Sequence, residues 1–185
     1  MGIWYGYEAL RQIHEDRIQW AERERLALQA RRSIRRREGD GRLTTRASGR
    51  GPVRWPPSLL RFVELVNTGR YWHAHEALEE AWRVNKSDFY HGLIIYASAY
   101  VHAQRGNPRG VVLQMAKVPR YLSPYPAAYL GLDVAAILRD VQQTRQLVQQ
   151  AGMPEGEALR AVIRWPSLVL DPARCSGEEP ELTTA

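Results

Sequence analysis

The stretch HAHEALEEAW, residues 73–82, holds the side chains of this chain best placed to do chemistry. His75 and Glu79 stand four residues apart, so a helix advancing by about 100° per residue sets them on one face, one turn apart. Tyr71, Trp72, Leu78 and Trp82 share that face, while Glu76, Glu80 and Arg83 fall on another. Two polar groups inside an apolar stripe are costly unless each other, a third residue, or a metal or ligand satisfies them. The pattern is similar to the zinc-protease motif H-E-x-x-H, with Glu79 where the second His would stand and Glu76 where that motif carries its general base. A catalytic zinc takes three protein ligands, and a His/Glu donor set also suits manganese or iron. The third ligand would be His102 or His91. These two are eleven residues apart, about 16 Å along a straight helix at ~1.5 Å per residue, so at most one of them can face His75. The metal reading therefore comprises His75, Glu79 and His102 as ligands of a divalent ion such as zinc or manganese, with Glu76 as candidate base.

The plainer reading is a His75–Glu79 pair held inside a helical bundle to fix helix register, with Trp72 and Trp82 as core anchors. Short motifs often mislead, and the sequence names no substrate, so the plainer reading leads. Accessibility separates the two: a cleft reaching His75 favours a hydrolase-like site, and a sealed core favours a structural pair.

The elements that must position these residues follow from pattern and punctuation. PPSLLRFVELVN opens with proline and carries Leu59, Phe62, Val63 and Val66 on one stripe, and NTG at 67–69 stops it. A second helix is expected over about 71–84. A third follows Ser87 as N-cap, with Asp88 in its first turn, and runs to about Arg105. Its GLIIYASAYV segment is apolar nearly all round, which places it inside the bundle. GNP at 106–108 ends that helix and starts a fourth, with Asn107 as N-cap and Pro108 at the first helical position. We expect the fourth helix to end at Pro119 and SPYPAAYLG to be irregular. Asp133 caps a fifth, amphipathic helix with Val134, Ile137, Leu138, Val141 and Val148 on one side. RWPSLVL, 164–170, reads as an extended return packing Trp165 and Leu168 onto the bundle, and the tail from 171 as disordered. No stretch alternates with period two. The fold class is all-α: a compact bundle of about five helices over 56–170, preceded by a charged helical arm.

That arm holds the charge. Residues 1–55 carry 13 Arg against 7 Asp or Glu, whereas 56–185 carry 13 basic and 13 acidic residues, so the whole net charge of +6 lies in the first third. Residues 5–38 read as a solvated helix with interleaved Glu and Arg, and 39–52 as a flexible linker. RRSIRRRE at 31–38 could meet nucleic-acid phosphates weakly and in a salt-dependent way, but it lacks aromatic interleaving and a recognition-helix pattern. The longest uncharged central run, Phe89–Gln104, falls short of the ~20 apolar residues of a membrane span. With a lone Cys175 and no signal segment, a cytoplasmic protein is expected. GNPRG lacks the lysine and glycine spacing of a phosphate loop, and its cap-plus-proline role accounts for it.

GRYWHAHEALEEAW, DFYHGLIIYASAYVHAQRGNPRG and YLGLD occur in order over roughly 56–140. Together they resemble the domain of unknown function 309 family of small bacterial and archaeal helical proteins. That family carries a His-x-x-x-Glu-x-x-Trp or Tyr motif, matched by His75, Glu79 and Trp82, and a later His and Gly-Asn-x-x-Gly, matched by His102, Gly106, Asn107 and Gly110. The resemblance implies a small helical bundle without an established activity, and a suggestion that the His and Glu bind metal. His91 and Ile95 stand where the family has Gln, so any pocket those amides line is chemically altered here. The resulting expectation is a binding or accessory module meeting a protein partner or small ligand, with a divalent-metal hydrolase as the alternative.

Overall fold

The computed structural model describes residues 55–179. Among them, six α-helices form the architecture: α1 (Pro57–Asn67), α2 (Tyr71–Asn85), α3 (Asp88–Gln104), α4 (Pro108–Leu122), α5 (Val134–Gln150) and α6 (Gly156–Val162). The fold is all-α, and its small antiparallel ribbon, β1 (Ala128–Tyr129) with β2 (Leu132–Asp133), is an appendage. The arm and linker expected before residue 55, and the end of the tail beyond 179, lie outside the described residues.

Twelve of the seventeen residues of α3 are buried, so it is the central rod around which the others pack. The chain reaches it through turns whose chemistry is local. Gly69 adopts φ +72° after α1, a left-handed conformation that glycine takes without steric cost. Ser87 Oγ accepts the Tyr90 N–H at 3.1 Å, satisfying one of the donors exposed at the start of α3. Asn107 Oδ1 accepts from the Gly110 N–H at 2.9 Å at the start of α4, and Asp133 Oδ1 from Ala136 at 2.7 Å at the start of α5. The side chains of Leu59, Phe62, Leu78, Phe89, Leu93, Met115 and Leu122 are fully enclosed between these helices. At Gly92 an added Cβ would lie 2.5 Å from the Leu122 side chain, so α3 and α4 approach closely there because no side chain separates them.

Four expectations need correction. Helix α4 passes through Pro119 and ends at Leu122. A proline removes one hydrogen bond and crowds the preceding turn, but here it sits in the last turn, with Val118 and Leu122 fully buried on either side. The region after α4 is not wholly irregular. Leu130 (φ +48°) and Gly131 (φ +82°) form the two-residue loop of a tight hairpin, and Leu130 holds its unfavourable angle with its side chain only 4% exposed. A sixth helix, α6, precedes the extended return, with Leu159 wholly buried.

Finally, residues 171–179 dock on the hairpin instead of trailing free. Leu130 N–H donates to Ser176 O (2.8 Å), Asp171 N–H to Gly131 O (2.8 Å), and the Tyr129 hydroxyl to Glu178 O (3.1 Å). Gly131 lies between the two limits of the bundle: a Cβ there would stand 2.7 Å from Trp55 Nε1 and 3.1 Å from the Asp171 carbonyl. The extended return itself is as expected. Asn67 grips Leu168 from both sides, donating to its carbonyl at 2.8 Å and accepting its N–H at 2.7 Å. Trp165 stacks on Tyr71 at 5.7 Å and 9°.

Candidate functional site

On α2, the helical spacing brings His75 and Glu79 together, but loosely. His75 Nδ1 stands 3.7 Å from Glu79 Oε2, an ion-pair distance too long for a hydrogen bond, and that nitrogen has no hydrogen-bond partner among the described residues. The other carboxylate oxygen of Glu79 takes the firmer contact, 2.8 Å from an Arg83 guanidinium nitrogen. Burial lowers the His75 imidazole below its ordinary 6.5, outweighing the opposing pull of Glu79, and Arg83 adds to the lowering. At neutral pH the ring is therefore uncharged. Its flat face lies against Trp72, with centroids 5.5 Å apart and planes within 9°, and the Arg105 guanidinium covers Trp72 at 5.7 Å. With side chains 21% and 29% exposed, His75 and Glu79 are neither sealed in a core nor set deep in a cleft.

His102 is placed elsewhere. Its Nδ1 lies 3.2 Å from Asn107 Nδ2, and its ring fills the space above Gly110, where a Cβ would come within 2.3 Å of Nδ1. The absent side chain of Gly110 is what admits the imidazole against α4. Burial lowers this histidine too, followed by the charges of Arg105 and Lys117. Among the described residues, no three His, Cys, Asp or Glu side chains are grouped so as to hold a metal ion. The His75, Glu79 and His102 set drawn from spacing is thus not assembled: one pair faces along α2, and the third member is taken by the α3–α4 corner.

Trp82 does serve as an anchor. It packs against His91 (4.7 Å), which in turn packs against Tyr121 (4.3 Å), and Lys86 Nζ stands 4.7 Å over the indole. A chain of rings thereby joins α2, α3 and the end of α4. His91 and Ile95 differ from the amides expected at their positions. The first is a ring in this stack and the second is 8% exposed in the core.

Residues 59–113 match the family model described as domain of unknown function (DUF309). Over that stretch the chain is similar to the family. The match takes in α1 to the first turns of α4, and so contains His75, Glu79, Trp82, His102 and Asn107, but it ends short of the hairpin, α5 and the extended return. No curated protein and no solved structure matches the chain.

A second polar centre escaped the sequence reading. Asp140 of α5 accepts two phenol hydrogen bonds on one oxygen, Oδ2, from Tyr96 at 2.8 Å and Tyr100 at 2.5 Å. Both tyrosines are 1% exposed. Burial raises both phenols above the ordinary value, with Asp140 and the neighbouring phenol contributing for Tyr96 and Asp140 for Tyr100. Tyr71, 5.2 Å from the Tyr100 ring, is pushed up to about 12 by burial and then by the same carboxylate. The signal was present as Tyr96 and Tyr100, one turn apart on an otherwise apolar helix. Its partner lies 40 residues or more along the chain, where no local pattern points to it.

Proposed function

We propose that this chain is a binding module, with no catalytic metal centre, whose His75–Glu79 pair belongs to the packing of its helices. The observation that carries this reading is how the motif side chains are engaged: Glu79 on Arg83 at 2.8 Å, and His102 beside Asn107 at 3.2 Å over a glycine that makes room for it. A hydrolase-like site would need the three ligands to converge and Glu76 to face a metal-bound water, and the binding reading is supported by the lack of any grouping of three His, Cys, Asp or Glu side chains among the described residues. The partner is a protein surface or a small ligand. Weak, salt-sensitive contact of the Arg-rich residues 1–55 with nucleic acid is compatible with it. No helix among the described residues is long and apolar enough to cross a membrane. A cytoplasmic setting is the simplest for a chain whose single Cys175 has no partner for an internal disulfide.

The test is elemental analysis of the full-length protein after exposure to zinc, manganese or iron, beside His75→Ala and Glu79→Gln. We expect no stoichiometric metal in any of the three. Stoichiometric metal that disappears in both variants would overturn the reading and restore the hydrolase alternative.

A further inference from the structure

Away from the histidines, a cleft of about 460 Å³ opens between α5 and the extended return. Its walls include Asp140 and Ile137 from α5 and Arg164, Trp165 and Leu168 from the return, with Tyr96 of α3 between them. That volume is in the range of small-molecule sites.

Asp140 is held there in an unusual way. Both phenol hydrogen bonds land on Oδ2, so the buried side of the carboxylate is fixed, while Oδ1 has no partner among the described residues. Nor does Asp140 have an ion-pair partner among them. Tyr96 and Tyr100 remain protonated donors at neutral pH, because burial and the carboxylate both oppose their ionisation. The other carboxylate lining the cleft, Asp133, is already engaged with the Ala136 N–H and with Arg174 at 3.1 Å.

Across the cleft, Arg164 has no ion-pair partner among the described residues either. Its backbone is fixed on both sides, by Ile163 (6% exposed) before it and by the Trp165 stack and the Asn67–Leu168 clamp after it. One unmatched negative and one unmatched positive charge therefore line a single cleft with apolar surface between them. A ligand that carries both charges would complement them.

We propose that this cleft binds a small zwitterion, a free α-amino acid with an apolar side chain, its ammonium on Asp140 Oδ1 and its carboxylate on Arg164. The planar fork of arginine suits the carboxylate end, and Ile137 and Leu168 meet the side chain. This gives the binding-module reading a ligand class and rests on it only in that sense, since these residues are remote from the metal question.

The experiment is titration calorimetry of the full-length protein with L-leucine, L-methionine and L-phenylalanine, each beside its amide and its N-acetyl derivative. Expected is binding of at least one free amino acid, weakened by about tenfold or more when either end is masked, and weakened likewise in Arg164→Gln and Asp140→Asn. Arg164 is exposed, so Arg164→Gln should keep the wild-type melting temperature and carries the test even if Asp140→Asn fails to fold. Absence of binding by all three free amino acids overturns the proposal. So does equal binding of free and masked forms, or affinity unchanged in Arg164→Gln.

Discussion

The bundle contains two polar centres built on opposite plans. The one on α2 is assembled from neighbours: His75, Glu79 and Arg83 lie at successive turns of a single helix, 3.7 and 2.8 Å apart, and all are partly exposed. The one around Asp140 is assembled from distance: Tyr96 and Tyr100 of α3 reach a carboxylate on α5 from positions 1% exposed. The first can form in any helix carrying that sequence and costs little to lose. The second exists only in the folded bundle, so its hydrogen bonds report on and support the tertiary arrangement.

The sharpest way to test that contrast is Asp140→Ala. Two buried hydroxyls lose their acceptor, each at ~1–3 kcal/mol, so we expect a loss of about 2–6 kcal/mol in urea unfolding. A loss below that of Glu79→Gln would reverse the comparison.

Next is Gly110→Ala. In a helix this exchange ordinarily stabilises by up to ~1 kcal/mol, but here the new methyl meets the His102 ring, and overpacking of that kind costs about 1–3 kcal/mol. Adding His102→Ala should return much of the loss. If Gly110→Ala alone raises the melting temperature, the close seating of His102 is wrong.

Asn67→Ala removes both bonds to Leu168, with an expected cost of about 1–2 kcal/mol and faster hydrogen exchange at the Leu168 amide. Unchanged exchange there would mean that Trp165 alone holds the return.

Smallest is the α2 centre. Glu79→Gln should cost no more than about 0.5 kcal/mol, as for other exposed pairs one turn apart. Its histidine speaks through pH instead. His75, His91 and His102 are all lowered from 6.5, chiefly by burial. Below 6.5 the unfolded chain then takes up more protons than the folded one, so stability is full above 6.5 and falls as pH drops. Melting temperatures between pH 7.5 and 5.5 should show this decline, and His75→Gln should shallow it. An equally steep decline in the variant would remove His75 from the account.

The same contrast explains what could be read in advance. Ser87, Asn107 and Asp133 were recognisable as caps because the donors they satisfy lie three residues away. The buried course of α3 was visible in its unbroken apolar run. His75 and Glu79 were correctly put on one face, but spacing could not show that Glu79 would turn to Arg83 or His102 to Asn107. Pro119 was misread because a breaker's local cost was weighed without the burial of Val118 and Leu122 beside it. The docking of 171–179 depends in good part on backbone groups of the hairpin, which leave no trace in side-chain pattern.

Gly131 has one more consequence. Because Trp55 and Asp171 both lie against it, residues 55 and 171, on either side of the helical core, come to nearly the same place. Such a body can be re-cut: joining those two points with a short linker and opening the sequence in another exposed turn, such as that around Gly152, should yield a circular permutant that folds to the same core.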